Sequence, residues 1–235
     1  MHITSLAYLN PQWKMMPGDL KQLQVDGNVV CGVNKLDDIF CADQDIFNNP
    51  NWFKLPGKLM HVSVSNGRLY GVSGEGQLWY GENYKAPKWR QVFGEARMVD
   101  LDVNVACHIS LRNDNIWCAE LGNDFANPQW FQVPGQLKSV SVSIGRLYGV
   151  NSLNQVFYAP DFKNAQWKQV AGSLTQVELR GRITCGVNQW YEIFCASGDV
   201  SNPQWNRIYG GLKHVSVSNG ALYGVNRQEL VFSAV

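Results

Sequence analysis

The sequence predicts an all-β chain closed into a six-bladed β-propeller with four antiparallel strands per blade. Three observations carry that expectation. A tryptophan-centred motif recurs at Trp13, Trp52, Trp89, Trp130, Trp167 and Trp205, with separations of 39, 37, 41, 37 and 38 residues. Each copy carries four short runs divided by turn residues, the pattern of a propeller blade. The last copy lacks an outer strand of its own, and the run at residues 13–16 can supply it. Residues 1–235 are therefore expected to form one domain, in which an N-terminal strand at about residues 13–16 completes the blade formed by about residues 212–235 and removes an exposed edge.

The elements follow in the same order in every copy. The tryptophan opens a run, as at residues 52–55, 130–133 and 167–170, and a glycine ends it. The second run alternates, as in residues 212–218 (Leu-Lys-His-Val-Ser-Val-Ser), which is the period of a strand with two unlike faces. The third ends in Gly-Val-Asn, as at Gly149-Val150-Asn151, and after a polar turn an apolar pair such as Val156-Phe157 opens the fourth. Aromatics five positions before the tryptophans recur as Tyr8, Phe47, Tyr84, Phe125 and Phe162, with Val200 in the last slot. Recurrence of this kind assigns them, and most of the tryptophan surface, to packing between blades. No segment holds an apolar stripe at helical spacing.

Composition narrows the function. A formal net charge of +1 with 17% charged residues offers no basic field for nucleic acid and no acidic tail. No apolar run is long enough for a membrane-spanning helix, so no membrane insertion is expected. The opening residues have neither a charged leader nor a continuous apolar stretch, so no signal peptide is expected. The compartment reads as cytoplasmic if Met1 is the native start and as secreted if the chain is a mature form.

Six cysteines fall in the first, third and fifth copies as Cys31 and Cys41, Cys107 and Cys118, Cys185 and Cys195. The even copies hold Tyr70 and Tyr80, Tyr148 and Tyr158, Tyr223 and Ser233 in the same two slots. Residues that switch together are cross-strand neighbours, and three hairpin disulfides are expected. Reduced buried thiols remain a second reading. Metal ligation is a third, although zinc-type Cys-x2-4-Cys spacing does not occur.

Catalysis finds little support, and the chain is expected not to be an enzyme and to use no cofactor or metal. His61 and His214 occupy one repeat position where other copies carry Gln22, Met98, Ser139 and Gln176, which favours strand packing. Asp100 and Glu178 share a slot with Gln24, Ser63, Ser141 and Ser216, and read as a hydrated channel lining rather than a glycosidase pair. Ligand-binding candidates lie at the polar turn between the third and fourth runs of the copies. Trp79, Trp117, Trp190 and Tyr191 could stack on a sugar ring, while Asn34, Asp38, Asn115, Asn151, Asn188, Glu192 and Asn226 could bond its hydroxyls. The competing reading of the Asn and Asp residues is a purely local role in the turn.

The repeated wording, Gly135-Gln136-Leu137-Lys138 with Ser141-Val142-Ser143, then Tyr148-Gly149-Val150-Asn151, Val156-Phe157 and Trp167 through Gly172, resembles the tectonin repeat of slime-mould and fungal tectonins, horseshoe-crab tachylectin and fish-egg lectins. The resemblance runs from about Trp13 to Val235. It implies a propeller lectin of innate defence whose partners are lipopolysaccharide, N-acetylglucosamine-type or O-methylated glycans, with a homo-oligomer conceivable. Ser73 and Ser110 replace the Asn of Gly-Val-Asn, and Ala106-Cys107-His108-Ile109 loses its Gly-Val. Repeated weak sites on one ring would give avidity. The alternative function is a propeller scaffold for protein–protein interaction.

Overall fold

The computed structural model describes residues 11–234, so Tyr8 lies outside the described residues. It is all β. Strand β1 (Lys14–Asp19) comes first, followed by the hairpin series β2 (Gln22–Asp26), β3 (Val29–Val33), β4 (Asp38–Ala42) and β5 (Phe53–Lys58). Then come β6 (His61–Ser65), β7 (Arg68–Val72), β8 (Gln77–Gly81), the long β9 (Arg90–Asp102), β10 (Val105–Ser110), β11 (Asn115–Glu120) and β12 (Phe131–Gln136). The next four are β13 (Ser139–Ser143), β14 (Arg146–Val150), β15 (Gln155–Ala159) and β16 (Lys168–Ser173). Strands β17 (Gln176–Arg180), β18 (Ile183–Val187), β19 (Glu192–Ser197) and β20 (Asn206–Gly211) precede the last three, β21 (His214–Ser218), β22 (Ala221–Val225) and β23 (Leu230–Ala234).

These strands form four four-stranded blades, β2-β3-β4-β5, β13-β14-β15-β16, β17-β18-β19-β20 and β1-β23-β22-β21, and one seven-stranded sheet, β12-β11-β10-β9-β8-β7-β6. The expectation of six blades of four strands is thereby corrected. Strand β9 runs unbroken through the point where the other copies stop and turn, pairing with β8 in its first half and β10 in its second. The reason lies in one exchange of side-chain size. Elsewhere a leucine after the outer strand packs onto the glycine of Gly-Val, so that a Cβ on Gly71, Gly149 or Gly224 would collide with Leu59, Leu137 or Leu212. In the third copy the glycine is His108, 3% exposed, and the leucine is Ala96. The large group now sits on β10, where it meets the Trp130 ring edge-on at 4.7 Å. Ala96 is small enough to remain in the strand and pair with Ser110.

Inner and outer strands differ in burial because of their place in the ring. Strands β2, β6, β13, β17 and β21 are buried along almost their whole length, whereas β1, β5, β12, β16 and β20 bury chiefly one side chain each. The apolar core lies between neighbouring sheets. One cluster, for example, joins Val33, Ile39 and Leu55 of the first blade to Val62, Val64 and Leu69 of the seven-stranded sheet. Strand β1 pairs antiparallel with β23, with Lys14 opposite Ser233 and Met16 opposite Val231.

All six cysteines form disulfides, Cys31–Cys41, Cys107–Cys118 and Cys185–Cys195, each joining directly opposed residues of adjacent antiparallel strands with Cα atoms 4.1 Å apart. That is the close, non-hydrogen-bonded type of cross-strand pair. Free thiols and thiolate metal ligation are thereby set aside.

Candidate functional site: clefts between sheets

The recurrent tryptophans do two things at once. Each indole N–H donates to a backbone carbonyl on the outer strand of the preceding copy: Trp52 to Pro17 (2.7 Å), Trp89 to Pro56 (2.7 Å), Trp130 to Phe93 (2.8 Å), Trp167 to Pro134 (2.7 Å) and Trp205 to Ala171 (2.6 Å), with Trp13 bonding Tyr209 in the same way. The next residue is always a glycine, and this position requires one. Gly57, for example, has φ 92°, and a Cβ there would stand 3.3 Å from the Trp89 indole nitrogen. The rings are only half-buried, and their free faces line clefts between neighbouring sheets.

Three such clefts have the same construction. The first, about 400 Å³, lies between the β2–β5 blade and the seven-stranded sheet, with Trp79 and Trp89 as aromatic walls and Ser73, Glu75 and Gln77 as polar ones. The second, about 150 Å³, is walled by Phe157 and Trp167 with Asn151 and Gln136. The third, about 320 Å³, has Trp190, Phe194 and Trp205 with Asn188 and Glu192. A glycine beside the indole, Gly57, Gly135 or Gly172, opens each floor.

The polar turn that rims a cleft is held by its own asparagine. Asn151 Oδ1 accepts from the amides of Leu153 (3.0 Å) and Gln155 (2.9 Å), and Asn188 Oδ1 from those of Trp190 (3.0 Å) and Glu192 (2.9 Å). Asn34 and Asn226 make the same pair of bonds. In the first cleft Ser73 Oγ makes only the second bond, accepting from Gln77 N at 3.2 Å. The remaining side-chain amide then sets the polarity of the wall. Asn151 Nδ2 donates to Gln155 Oε1 (2.8 Å), whereas Asn188 Nδ2 donates to Glu192 Oε2 (2.8 Å), whose other oxygen meets Arg207 at 2.7 Å.

Of the residues singled out from sequence, the structure therefore places Trp79 in the first cleft, Asn151 in the second, and Asn188, Trp190 and Glu192 together in the third. Asn34, Asp38, Asn115, Trp117, Tyr191 and Asn226 line none of the three. Asp38 is bonded by Lys54 and Lys58 at 2.7 and 2.8 Å, and these hydrogen bonds pull its carboxyl down to about 2. Tyr191 holds a left-handed backbone, φ 69°, beneath the Arg227 guanidinium at 4.8 Å. Sequence reasoning missed Trp89, Trp167, Trp205, Phe157 and Phe194 as cleft walls. The repetition of the tryptophans was the available signal, and it assigns most of their surface to packing between blades.

The carboxylates of the inner strands meet on the ring axis. Gln24 Nε2 donates to both Asp100 Oδ1 (2.7 Å) and Glu178 Oε1 (3.1 Å), while Ser141 Oγ and Val142 N hold the other Asp100 oxygen at 2.9 and 2.8 Å. Burial pushes the Glu178 carboxyl up to about 8 against the pull of Arg180, 3.5 Å away. Both acids are committed to internal partners.

The fold has many relatives in shape. The chain superposes on a structure of the nidogen/laminin complex with TM-score 0.66 at 11% identity, covering 84% of each chain. It matches human WBSCR16 with TM-score 0.63 at 7% identity over 92% of this chain and 71% of that one. The Pan2 WD40 domain of Neurospora crassa gives 0.60 at 12%, over 92% and 74%. Identities this low speak for the β-propeller fold alone. No curated protein matches in sequence. The tectonin domain, however, matches residues 4–125 and 106–235, between them nearly the whole length, and the chain belongs to the tectonin family.

Proposed function

We propose that the protein is a multivalent lectin whose 1–235 domain binds glycans in the clefts between its sheets. One observation carries the reading: a tryptophan ring fixed by a backbone hydrogen bond, facing a second aromatic and a hydrogen-bonded polar turn, is built three times on one rigid ring. Such a cleft suits a pyranose, whose apolar face stacks on the indole while its hydroxyls meet amide and carboxylate groups. The classes that fit are the microbial-surface sugars implied by the family: lipopolysaccharide cores, N-acetylglucosamine-type units and O-methylated glycans. Innate defence is the matching role, without enzymatic activity, nucleic acid or membrane insertion.

The clefts are unequal. The first and third each have two indole walls and the first is the larger, so these two are the stronger sites; the second is the smallest and has one indole. Several weak contacts to one dense glycan surface add up, because every contact after the first is intramolecular. A glycan array including lipopolysaccharides and methylated sugars tests the proposal. Binding above background, reduced in Trp79→Ala by about 1–3 kcal/mol per site, supports it. A blank array ends it.

A further inference from the structure

The rim of the first cleft departs from the others at one residue. Strands β3, β14, β18 and β22 are each followed by an asparagine, Asn34, Asn151, Asn188 or Asn226, whose Oδ1 accepts from the backbone amides two and four positions on. In the second and third clefts its Nδ2 also donates to the side chain four positions on, Gln155 or Glu192, at 2.8 Å. Those rims therefore hold a carboxamide of their own, with oxygen and nitrogen both spent.

The first cleft lacks that carboxamide. Ser73 follows β7, and its Oγ accepts only from Gln77 N, at 3.2 Å. The Glu75 N–H is left without a partner among the described residues, and so is the Gln77 side chain. Both residues line the cleft, the largest of the three at about 400 Å³. Missing between them is the chemistry of one amide: an oxygen to accept from Glu75 and an N–H to donate to Gln77. A hydroxyl brings one atom where the asparagine copies use two, and an O-methyl group brings no donor. Lys58, the cation among the lining residues, is fastened to Asp38 and to the Leu36 carbonyl, both at 2.8 Å, so no free cation is there to hold an anionic group.

We propose that the first cleft selects 2-acylamido pyranosides, whose amide takes the place of the carboxamide that Ser73 lacks, and that Ser73 is the residue setting this selectivity. The inference rests on the reading of the clefts as pyranose sites. The sugar ring lies against Trp79 and Trp89, the acyl oxygen accepts from the Glu75 N–H, and the amide N–H donates to Gln77 Oε1. The second and third clefts have no such preference, because Asn151 and Asn188 already fill the position.

The test is a titration of the full chain with methyl 2-acetamido-2-deoxyglucopyranoside, and separately with methyl glucopyranoside and its 2-O-methyl ether. The indole N–H NMR signals of Trp79 and Trp89 report on the first cleft and those of Trp190 and Trp205 on the third. At the first cleft the acetamido sugar should bind about tenfold more tightly than either comparison sugar, the scale of one or two hydrogen bonds, and at the third about equally. Ser73→Asn installs the side chain found at Asn34, Asn151, Asn188 and Asn226, and should bring the first-cleft ratio to about one. Asn188→Ser opens the same gap beside Trp190 and should raise the third-cleft ratio about tenfold. A first-cleft ratio near one in the parent, a preference that survives Ser73→Asn, or a third cleft unmoved by Asn188→Ser overturns the inference while sugar binding stands. If no sugar gives a saturable shift at either cleft, the pyranose reading falls together with it.

Discussion

The cysteine copies and the tyrosine copies fill the same two slots with residues that hold the ring together by different means. Cys107 and Cys118 are small, covalently linked, and leave room for aliphatic and aromatic groups of the next blade, including Leu137, Val140 and Phe162. Tyr148 and Tyr158 fill the space themselves, with ring centroids 5.6 Å apart, and the buried Tyr148 hydroxyl donates across to the Val200 carbonyl. Tyr70 does the same to Phe125. The last copy breaks the rule instructively: Ser233 Oγ takes the corresponding carbonyl, Phe47, at 3.0 Å, and the Tyr223 hydroxyl is left buried without a partner. One mode staples a hairpin within its own copy of the repeat; the other bolts one copy to the next.

The largest effect separating them should come from Tyr148→Ala, which opens a cavity between two blades and should cost about 3–5 kcal/mol. Replacing Cys107 and Cys118 together by alanine should cost about 2–3 kcal/mol, since the bridge closes only a short loop. Urea unfolding of both variants checks the order, and a reversal would mean that the hairpin bridges carry more than local constraint.

A second test concerns His108, the group that replaces glycine in the one copy whose strands run on. Burial pulls its imidazole down to about 4. The unfolded chain therefore takes up a proton below its ordinary value near 6.5 that the folded chain refuses. Stability from this group is complete above that pH and is lost as pH falls toward 4, by about 2 kcal/mol between pH 7 and pH 5. The pH dependence of stability in His108→Leu should be shallower than in the parent by that amount over the same window, whatever its absolute stability.

The smallest difference lies between two single hydroxyls. Tyr70→Phe should cost about 1–2 kcal/mol because it strands a buried carbonyl, whereas Tyr223→Phe should be neutral or slightly stabilising. Equal costs in a thermal melt would show that Tyr223 has a partner after all.

The repeat, the strand order within it and the pairing of the cysteines were legible because they rest on period-two alternation and on residues that change together. The continuity of β9 was not. It depends on a trade between Ala96 and His108, two departures from the repeat on adjoining strands whose joint effect shows only once those strands are paired. The clefts were half-legible. Trp79, Asn151 and Asn188 stood out, but a tryptophan that recurs in every copy looks like core, and nothing in a string of letters separates its bonded edge from its free face. The asparagines of the turn proved to hold it together first, since their oxygens are spent on backbone amides. The described clefts also ignore the alternation of Cys and Tyr copies, because a cleft depends on the glycine, the indole and the residues of the turn.

The seam between β1 and β23 sets an order of events. During synthesis β1 (Lys14–Asp19) emerges before the other described strands and has no partner until β23 (Leu230–Ala234) follows it, so that blade must be assembled from two segments far apart in the chain. Closing so long a loop is entropically expensive, although the cost grows only slowly with length. Folding should therefore be slow for a protein of this size, with its final step the capture of β1 by an edge that stays sticky until then.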